Sequence, residues 1–331
     1  MPSLMYLLQL TKWFSSPLEF FKLNIRKLLI EALKKGPIPN HVAFVMDGNR
    51  RFARMHGIET LEGHWLGFGA FLEVIDICFR TGIKVVTVYA FSTENFKRSK
   101  SEVDGLMDLL KMKLSEMAEH GGLLERYGVK VVFPGQLDLL RPDVLTIVNR
   151  TMEMTGQNLD RTLNICCPYT SRNEIVTAIR DTVIDFSTRM PPVPGRTPLP
   201  GCQASALNTR ARARVSIYGD PTQKMKIPWW IATTGSIGPA ALDHQDIAYS
   251  KAPVFAGPEI IDDQTLTDHL WTKGNPPLDI LIRTSGVRRL SDFMLWQCCQ
   301  VTEIVYLDVL WPEFSLWHFL PVLVGWQANA S

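Results

Sequence analysis

The sequence predicts an α/β fold: a central, mostly parallel sheet flanked by helices, in a single domain with one long insertion. Three observations carry that expectation. From His41 onward, short apolar runs alternate with stretches of helical periodicity, the pattern of parallel strands joined by crossover helices. The runs are continuous rather than alternating, as strands buried on both faces require. Several of them end in polar turns rich in Gly, Asp and Arg, at the edge where such sheets bind ligands.

Composition sets the bounds. Of 331 residues, 46% are apolar, enough for a large core, and 21% are charged. A formal net charge of +2 argues against a nucleic-acid partner and makes any basic site local. Six cysteines, with no C-x-x-C spacing and with Cys166-Cys167 and Cys298-Cys299 adjacent, read as reduced core thiols in a cytosolic setting.

Residues 1–36 form a separate segment. The run MPSLMYLLQL is too short before Lys12 to span a bilayer. Phe21, Ile25, Leu28, Leu29, Ala32 and Leu33 then recur at helical spacing with Lys22, Arg26, Lys27, Lys34 and Lys35 around them. Such a helix lies on a membrane surface or packs on the main domain or a partner. Residues 37–331 hold the main domain. Val42 to Met46 is its first strand, and Asp47-Gly48-Asn49-Arg50-Arg51 turns into a helix. The spacing of Trp65, Phe68, Phe71, Leu72, Ile75 and Phe79 gives a helix over 63–80, closed by Gly82. Ile83 to Ala90 is the second strand, emptying into Ser92-Thr93-Glu94-Asn95-Phe96-Lys97-Arg98. Ser99 to Glu102 fits a capping box before a helix with Val103, Leu106, Met107, Leu110, Leu114 and Met117 on one stripe.

Val129 to Phe133 is the third strand, and Pro142 opens a helix that runs to Gly156. Leu163 to Cys167 is the fourth, followed by Ser171-Arg172-Asn173-Glu174, a second capping box opening a helix to Phe186. From about 187 to 258 prolines cluster and periodicity is lost, which reads as a disordered surface insertion whose Arg210, Arg212 and Arg214 are a solvated charge run. Asp262 to Trp271 reads as a helix, Leu278 to Ile282 as a strand running into Arg283-Thr284-Ser285-Gly286, and Ile304 to Leu307 as the last strand. Leu310-Trp311-Pro312 turns into a closing helix.

Three strand ends therefore deliver Asp47 with Arg50 and Arg51, then Ser92, Glu94, Asn95 and Arg98, then Arg283, Arg288, Arg289 and Ser291. Arginines gathered at one edge need anionic ligands, and the planar guanidinium matches phosphate oxygens in pairs. Their number suits two diphosphates. Asp47, with Glu303, would hold Mg²⁺, a hard ion that takes carboxylate and phosphate oxygens. A lone Asp-Gly can also simply cap a turn. No G-x-x-x-x-G-K-[ST] is present, which argues against a P-loop enzyme.

The segments HVAFVMDGNRRFA, Glu62-Gly63-His64, VYAFSTENFKRSKSEVDGLMDL, LDILIRTSGVRRLSDFMLWQ and DVLWPEF resemble the cis-prenyltransferase (undecaprenyl diphosphate synthase) family, in order and over about Pro37 to Leu320 apart from the insertion. Within it they are most similar to the eukaryotic dehydrodolichyl diphosphate synthase branch. The resemblance implies addition of isopentenyl diphosphate in cis to farnesyl diphosphate, with Mg²⁺. The product would be a long-chain polyprenyl diphosphate for dolichol synthesis and protein glycosylation, made at the cytosolic face of the endoplasmic reticulum membrane.

Position by position, the resemblance makes Asp47 the essential aspartate and Gly48, Asn49, Arg50 and Arg51 the cradle of the allylic diphosphate, with Phe52 and His64 beside it. Ser92, Thr93, Glu94, Asn95, Phe96 and Arg98 would orient the reacting pair. Asn95 is the family's proposed participant in proton removal, although an amide is a poor base and positioning suits it better. Arg283, Arg289 and Ser291 would form the isopentenyl diphosphate pocket, and Glu303 a second metal carboxylate. The stripe from Val103 to Met117 is either plain core or in part the wall of a tunnel for the growing chain.

Three departures qualify the resemblance. Residues 304–331 contain no Arg or Lys, whereas single-subunit members end in Arg-x-Gly. A homologous partner of the Nogo-B-receptor kind is therefore expected to supply that motif. Val287 and Thr60 stand where bacterial members carry Glu and Arg, and Glu303 aligns only with one extra residue before the last strand. The ending GWQANAS also reads as cut short. The other readings are a non-catalytic scaffold subunit of the same complex and a Mg²⁺-dependent phosphohydrolase.

Overall fold

The computed structural model describes residues 17–118, 122–187, 260–299 and 301–330, with side chains from residue 24. The expected insertion at 187–258 and the apolar run of residues 1–10 therefore lie outside the described residues, apart from Ser187. Six strands form one sheet: β1 (His41–Val45), β2 (Val85–Tyr89), β3 (Val129–Val132), β4 (Arg161–Cys166), β5 (Ile280–Arg283) and β6 (Glu303–Tyr306). Their order is β3-β4-β2-β1-β5-β6, and every pairing is parallel. β1 sits where the strand order reverses, so the crevice beyond its carboxyl end is the ligand-binding switch point of such a sheet.

The helices are α1 (Pro17–Leu33), α2 (Asn49–His56), α3 (Thr60–Thr81), α4 (Lys100–Ala118), α5 (Leu123–Arg126), α6 (Pro142–Thr155), α7 (Ser171–Ser187), α8 (Asp263–Thr267) and α9 (Leu316–Ala330). Val42 and Phe44 of β1 face one core with Phe71, Ile75 and Phe79 of α3, Met107 and Leu114 of α4, and Phe319 of α9. Ala43 and Val45 face a second core with Leu281, Phe293 and Tyr169. Both faces of the strand are thus covered, which explains its unbroken apolar run.

Three local expectations change in the folded chain. On α1, the buried residues are Ile30 and Leu33, while Leu28 is 70% exposed. Arg26 turns inward to Glu73 of α3 at 3.0 Å, and Gln327 of α9 donates to the carbonyls of Leu33 and Pro37. The C-terminal half of this helix is therefore packed on the domain. Ser171 and Glu174 do not form a capping box. Glu174 is fully buried and accepts from the Tyr169 hydroxyl, the Thr272 N–H and hydroxyl and the Gln297 amide, while Ser171 Oγ accepts from Leu295 N–H. α8 stops at Thr267, its Asp262 side chain capping the Thr265 N–H at 2.8 Å. Cys166 and Cys167 are buried thiols as expected, whereas Cys299 is exposed.

A buried polar chain crosses the sheet: His41 Nδ1 contacts the Pro276 carbonyl, its Nε2 contacts Thr87 Oγ1, and Asn164 donates to the same hydroxyl. Burial lowers the His41 pKa to about 4, so the ring is neutral when folded. The unfolded chain binds a proton there below about pH 6.5 that the folded chain refuses down to about pH 4, so stability falls with pH across that window. Chemical denaturation midpoints should drop between pH 6.5 and 4, and the drop should be shallower in His41→Gln. An equally steep profile in the variant would contradict this account.

Candidate active site

The carboxyl ends of β1, β2, β4 and β5 are level: Val45 pairs with Arg283, and Tyr89 with Cys166. Asp47 and Arg283 therefore emerge side by side. Arg283 Nη2 donates to Asp47 Oδ2 at 2.8 Å, and its Nη1 donates to Ser291 Oγ and to the Arg289 carbonyl, both at 2.6 Å. Arg289 Nε also donates to Ser291 Oγ, at 3.1 Å. Thr284 ties the two strand ends, its hydroxyl donating to the Asp47 carbonyl at 2.6 Å. Arg51 Nη1 donates to the Ser285 carbonyl, with its other Nη 3.6 Å from Asp47. The two corners that the sequence separates by more than 230 residues share one hydrogen-bonded corner of the fold.

These groups stand at the mouth of a cavity of about 690 Å³. Asp47, Asn49, His64, Ser92, Glu94, Asn95, Arg98, Arg283, Arg289 and Ser291 line its polar end. Beyond them the walls become apolar: Leu106, Met107, Leu110, Leu114 and Met117 of α4, with Phe68 and Phe71 of α3 opposite. The α4 stripe is thus both core and cavity wall.

Four buried polar atoms in and beside this mouth have no partner: Asn49 Oδ1, His64 Nε2, Arg283 Nε and Ser285 Oγ. Buried polar atoms are normally satisfied, so such a cluster marks a place for a polar ligand. Burial, reinforced by the positive Arg98, lowers the His64 pKa to about 4, leaving a neutral ring that can donate one hydrogen bond. The Asp47 side chain is 34% exposed, and no group of three His, Cys, Asp or Glu that could hold a metal exists among the described residues. A hard divalent cation held here would take its remaining ligands from phosphate oxygens and water.

Other expected residues play different parts. Asn95 Oδ1 accepts from Ser92 N–H and Ser92 Oγ accepts from Glu94 N–H, so the pair builds the tight turn Thr93–Lys97. Thr93 N–H reaches the Tyr169 carbonyl, Glu94 pairs with Lys97, and Phe96 packs edge-on against Phe91. Gly48 has φ 117°, and a Cβ there would press on Leu310 and Trp311, so only glycine fits the turn. Arg50 is mostly exposed and faces Glu102 at 3.7 Å. Phe52 stacks on His56, away from the cavity lining.

Glu303 is the clear correction. It pairs with Ile280 at the amino end of β6, whereas Tyr306 is the residue level with Arg283. The expected second carboxylate thus stands at the opposite edge of the sheet from Asp47. Sequence reasoning also missed Glu102, whose carboxylate holds Arg98 at 3.1 Å instead of closing the box on Ser99. It missed Tyr89, whose hydroxyl donates to the Ser291 carbonyl, and Asp292 and Trp311 in the cavity lining. Only the position of Tyr89 at a strand end could have signalled this.

Comparison with known proteins follows the same lines. The family model described as "Putative undecaprenyl diphosphate synthase" matches residues 45–331. A dehydrodolichyl diphosphate synthase complex subunit of Schizosaccharomyces pombe is 38% identical over 96% of this chain and 97% of its own length. The corresponding human subunit is 35% identical over 90% of this chain and 70% of its own. An isoprenyl transferase of Thermus thermophilus is 32% identical over 92% and 91%. The fold matches the crystal structure of lavandulyl diphosphate synthase from Lavandula x intermedia in complex with dimethylallyl diphosphate, with a TM-score of 0.62 and 24% identity over 87% of this chain and 95% of that one.

Gly67 of α3 brings the helix against this corner. A Cβ on Gly67 would collide with Asn49 Oδ1 and stand 3.0 Å from the Trp311 ring, while one on Gly69, two residues on, meets nothing within 4 Å. Gly67→Ala should therefore lower the melting temperature and weaken inorganic diphosphate binding measured by calorimetry. Gly69→Ala should be neutral or stabilise by about 0.5–1 kcal/mol through helix propensity. Equal behaviour of the two variants would contradict the packing argument.

Proposed function

This chain belongs to the cis-prenyltransferase family, enzymes that make polyprenyl diphosphates, and we propose that it is the catalytic subunit of a dehydrodolichyl diphosphate synthase. In this reading it adds isopentenyl diphosphate units in cis to farnesyl diphosphate, supplying dolichol for protein glycosylation. The observation that carries it is one cavity whose mouth gathers Asp47, Arg98, Arg283, Arg289 and Ser291 and whose interior is apolar. A diphosphate suits the first part and a polyprenyl chain suits the second. A phosphohydrolase has no use for the apolar interior, and a scaffold subunit has none for the arginines.

The chemistry follows from charge. The allylic diphosphate would depart as its C1 becomes cationic, and the unpartnered His64 and the N-terminus of α2 are the groups that would meet the growing negative charge. Asp47 would hold Mg²⁺, whose charge would offset that of the leaving diphosphate. Arg283, Arg289 and Ser291 would bind the isopentenyl diphosphate, and Asn95 would set the Ser92–Arg98 turn that orients the pair. Asn95 already spends its carbonyl oxygen on Ser92 N–H, which supports positioning rather than proton removal. The apolar walls exclude water from the allylic cation, and each methylene they bury contributes roughly 0.8 kcal/mol to holding the product.

The relatives' names as complex subunits support a partner. We infer a homologous Nogo-B-receptor-like subunit that supplies the Arg-x-Gly motif, with the complex on the cytosolic face of the endoplasmic reticulum membrane. No helix among the described residues is long and apolar enough to cross a bilayer, which is compatible with a peripheral arrangement.

Diphosphate release should require both isopentenyl and farnesyl diphosphate, and should rise strongly on co-expression with the partner. Release without isopentenyl diphosphate would point to a hydrolase. Asp47→Ala should cut elongation of labelled product by about 10²–10³-fold or more with its far-ultraviolet circular dichroism unchanged. Near-normal turnover in that variant would refute the assignment.

A further inference from the structure

The segment after β5 is held in an unusual backbone. Ser285, Ser291, Asp292 and Met294 all have positive φ, at 80°, 52°, 60° and 46°. Side-chain-bearing residues avoid this region, and it persists only where the surroundings over-determine it. Ser291 is the residue on which Arg283 and Arg289 converge, so whatever fixes this turn fixes the pocket.

The fixing contacts come from the first turn of α7. A helix begins with open N–H groups that need acceptors. Here Ser171 N–H donates to the Asp292 carbonyl at 2.8 Å, and Arg172 N–H donates to Asp292 Oδ1 at 3.0 Å. Arg172 Nε donates to Asp292 Oδ2 at 2.7 Å, which offsets the carboxylate's charge beside an anion pocket. Asp292 thus closes the end of α7 from a distant loop, taking the place of a local cap. Its side chain is only 14% exposed. Leu295 N–H to Ser171 Oγ and the Tyr89 hydroxyl to the Ser291 carbonyl complete the attachment.

We propose that Asp292 is a positioning residue for the second diphosphate pocket: by capping α7 it locks the left-handed turn that presents Ser291 and Arg289. This rests on the reading of that pocket as the isopentenyl diphosphate site. Asp292 itself carries a negative charge already paired with Arg172, so it acts through its neighbours.

The test is steady-state elongation by the full chain co-expressed with its partner subunit. Asp292→Ala should raise KM for isopentenyl diphosphate about tenfold or more, with KM for farnesyl diphosphate and kcat little changed. Asp292→Gly, which relieves the backbone strain but offers no cap, should do the same and covers the case in which Ala does not fold. Asp292→Asn keeps an acceptor for Arg172 N–H and tolerates the left-handed region, so it should stay close to wild type. An unchanged KM for isopentenyl diphosphate in the Gly variant, or a parallel rise for both substrates, overturns the proposal. Wild-type enzyme that does not consume isopentenyl diphosphate would instead sink the functional reading, and this inference with it.

Discussion

Everything at the corner where β1 meets β5 depends on one buried guanidinium. The Arg283 side chain is 4% exposed, and a charge so placed is tolerable only when its donors are met. Asp47 from the end of β1, and Ser291 and the Arg289 carbonyl from the loop after β5, meet two of its nitrogens, and the third is left without an acceptor. The pair therefore joins β1 to β5, fixes the loop that follows β5, and keeps one donor in reserve. Removing Asp47 would leave the buried Arg283 charge without its counter-ion, whereas Asp47, partly exposed and 3.6 Å from Arg51, would keep a partner without Arg283. Asp47 is consequently a structural anchor as well as a half-exposed carboxylate at the mouth.

The sheet was legible because its strands are buried on both faces and so announce themselves as unbroken apolar runs. HVAFV, VVTVY and ILIR became β1, β2 and β5 within a residue or two of expectation. The strand ends were legible for the same reason, and with them Asp47, Asn49, Ser92, Glu94, Asn95, Arg98, Arg283, Arg289 and Ser291 in the cavity lining, whereas His64, within α3, was reached only through the family resemblance. Glu303 already stands just before the last strand in the sequence, a position that puts it at the amino end of β6, and only its carboxylate and the resemblance suggest a metal ligand. A strand start and a strand end lie on opposite edges of a parallel sheet.

The Ser171-to-Glu174 pattern failed for a different reason. The same four-residue spacing that suits a capping box also points a carboxylate inward, and only the neighbouring Tyr169, Thr272 and Gln297 decide between the two. On α1 the period was right and the phase was not: Arg26 found two carboxylates on α3 and turned Leu28 outward. Thr284 and Asp292 matter through partners remote in the chain, and no local pattern announces them.

The gradient inside the cavity, from guanidinium at the rim to methionine and leucine within, has a consequence for how long an occupant stays. An amphiphile whose head sits among the polar residues places its tail among the apolar ones, and every carbon it gains inside raises the work of withdrawing it by a fixed increment. Escape thus slows geometrically with length while the charged rim, where small anions exchange, stays equally quick. Such a chamber favours many additions to one molecule over one addition to many, and it does so through solvation alone.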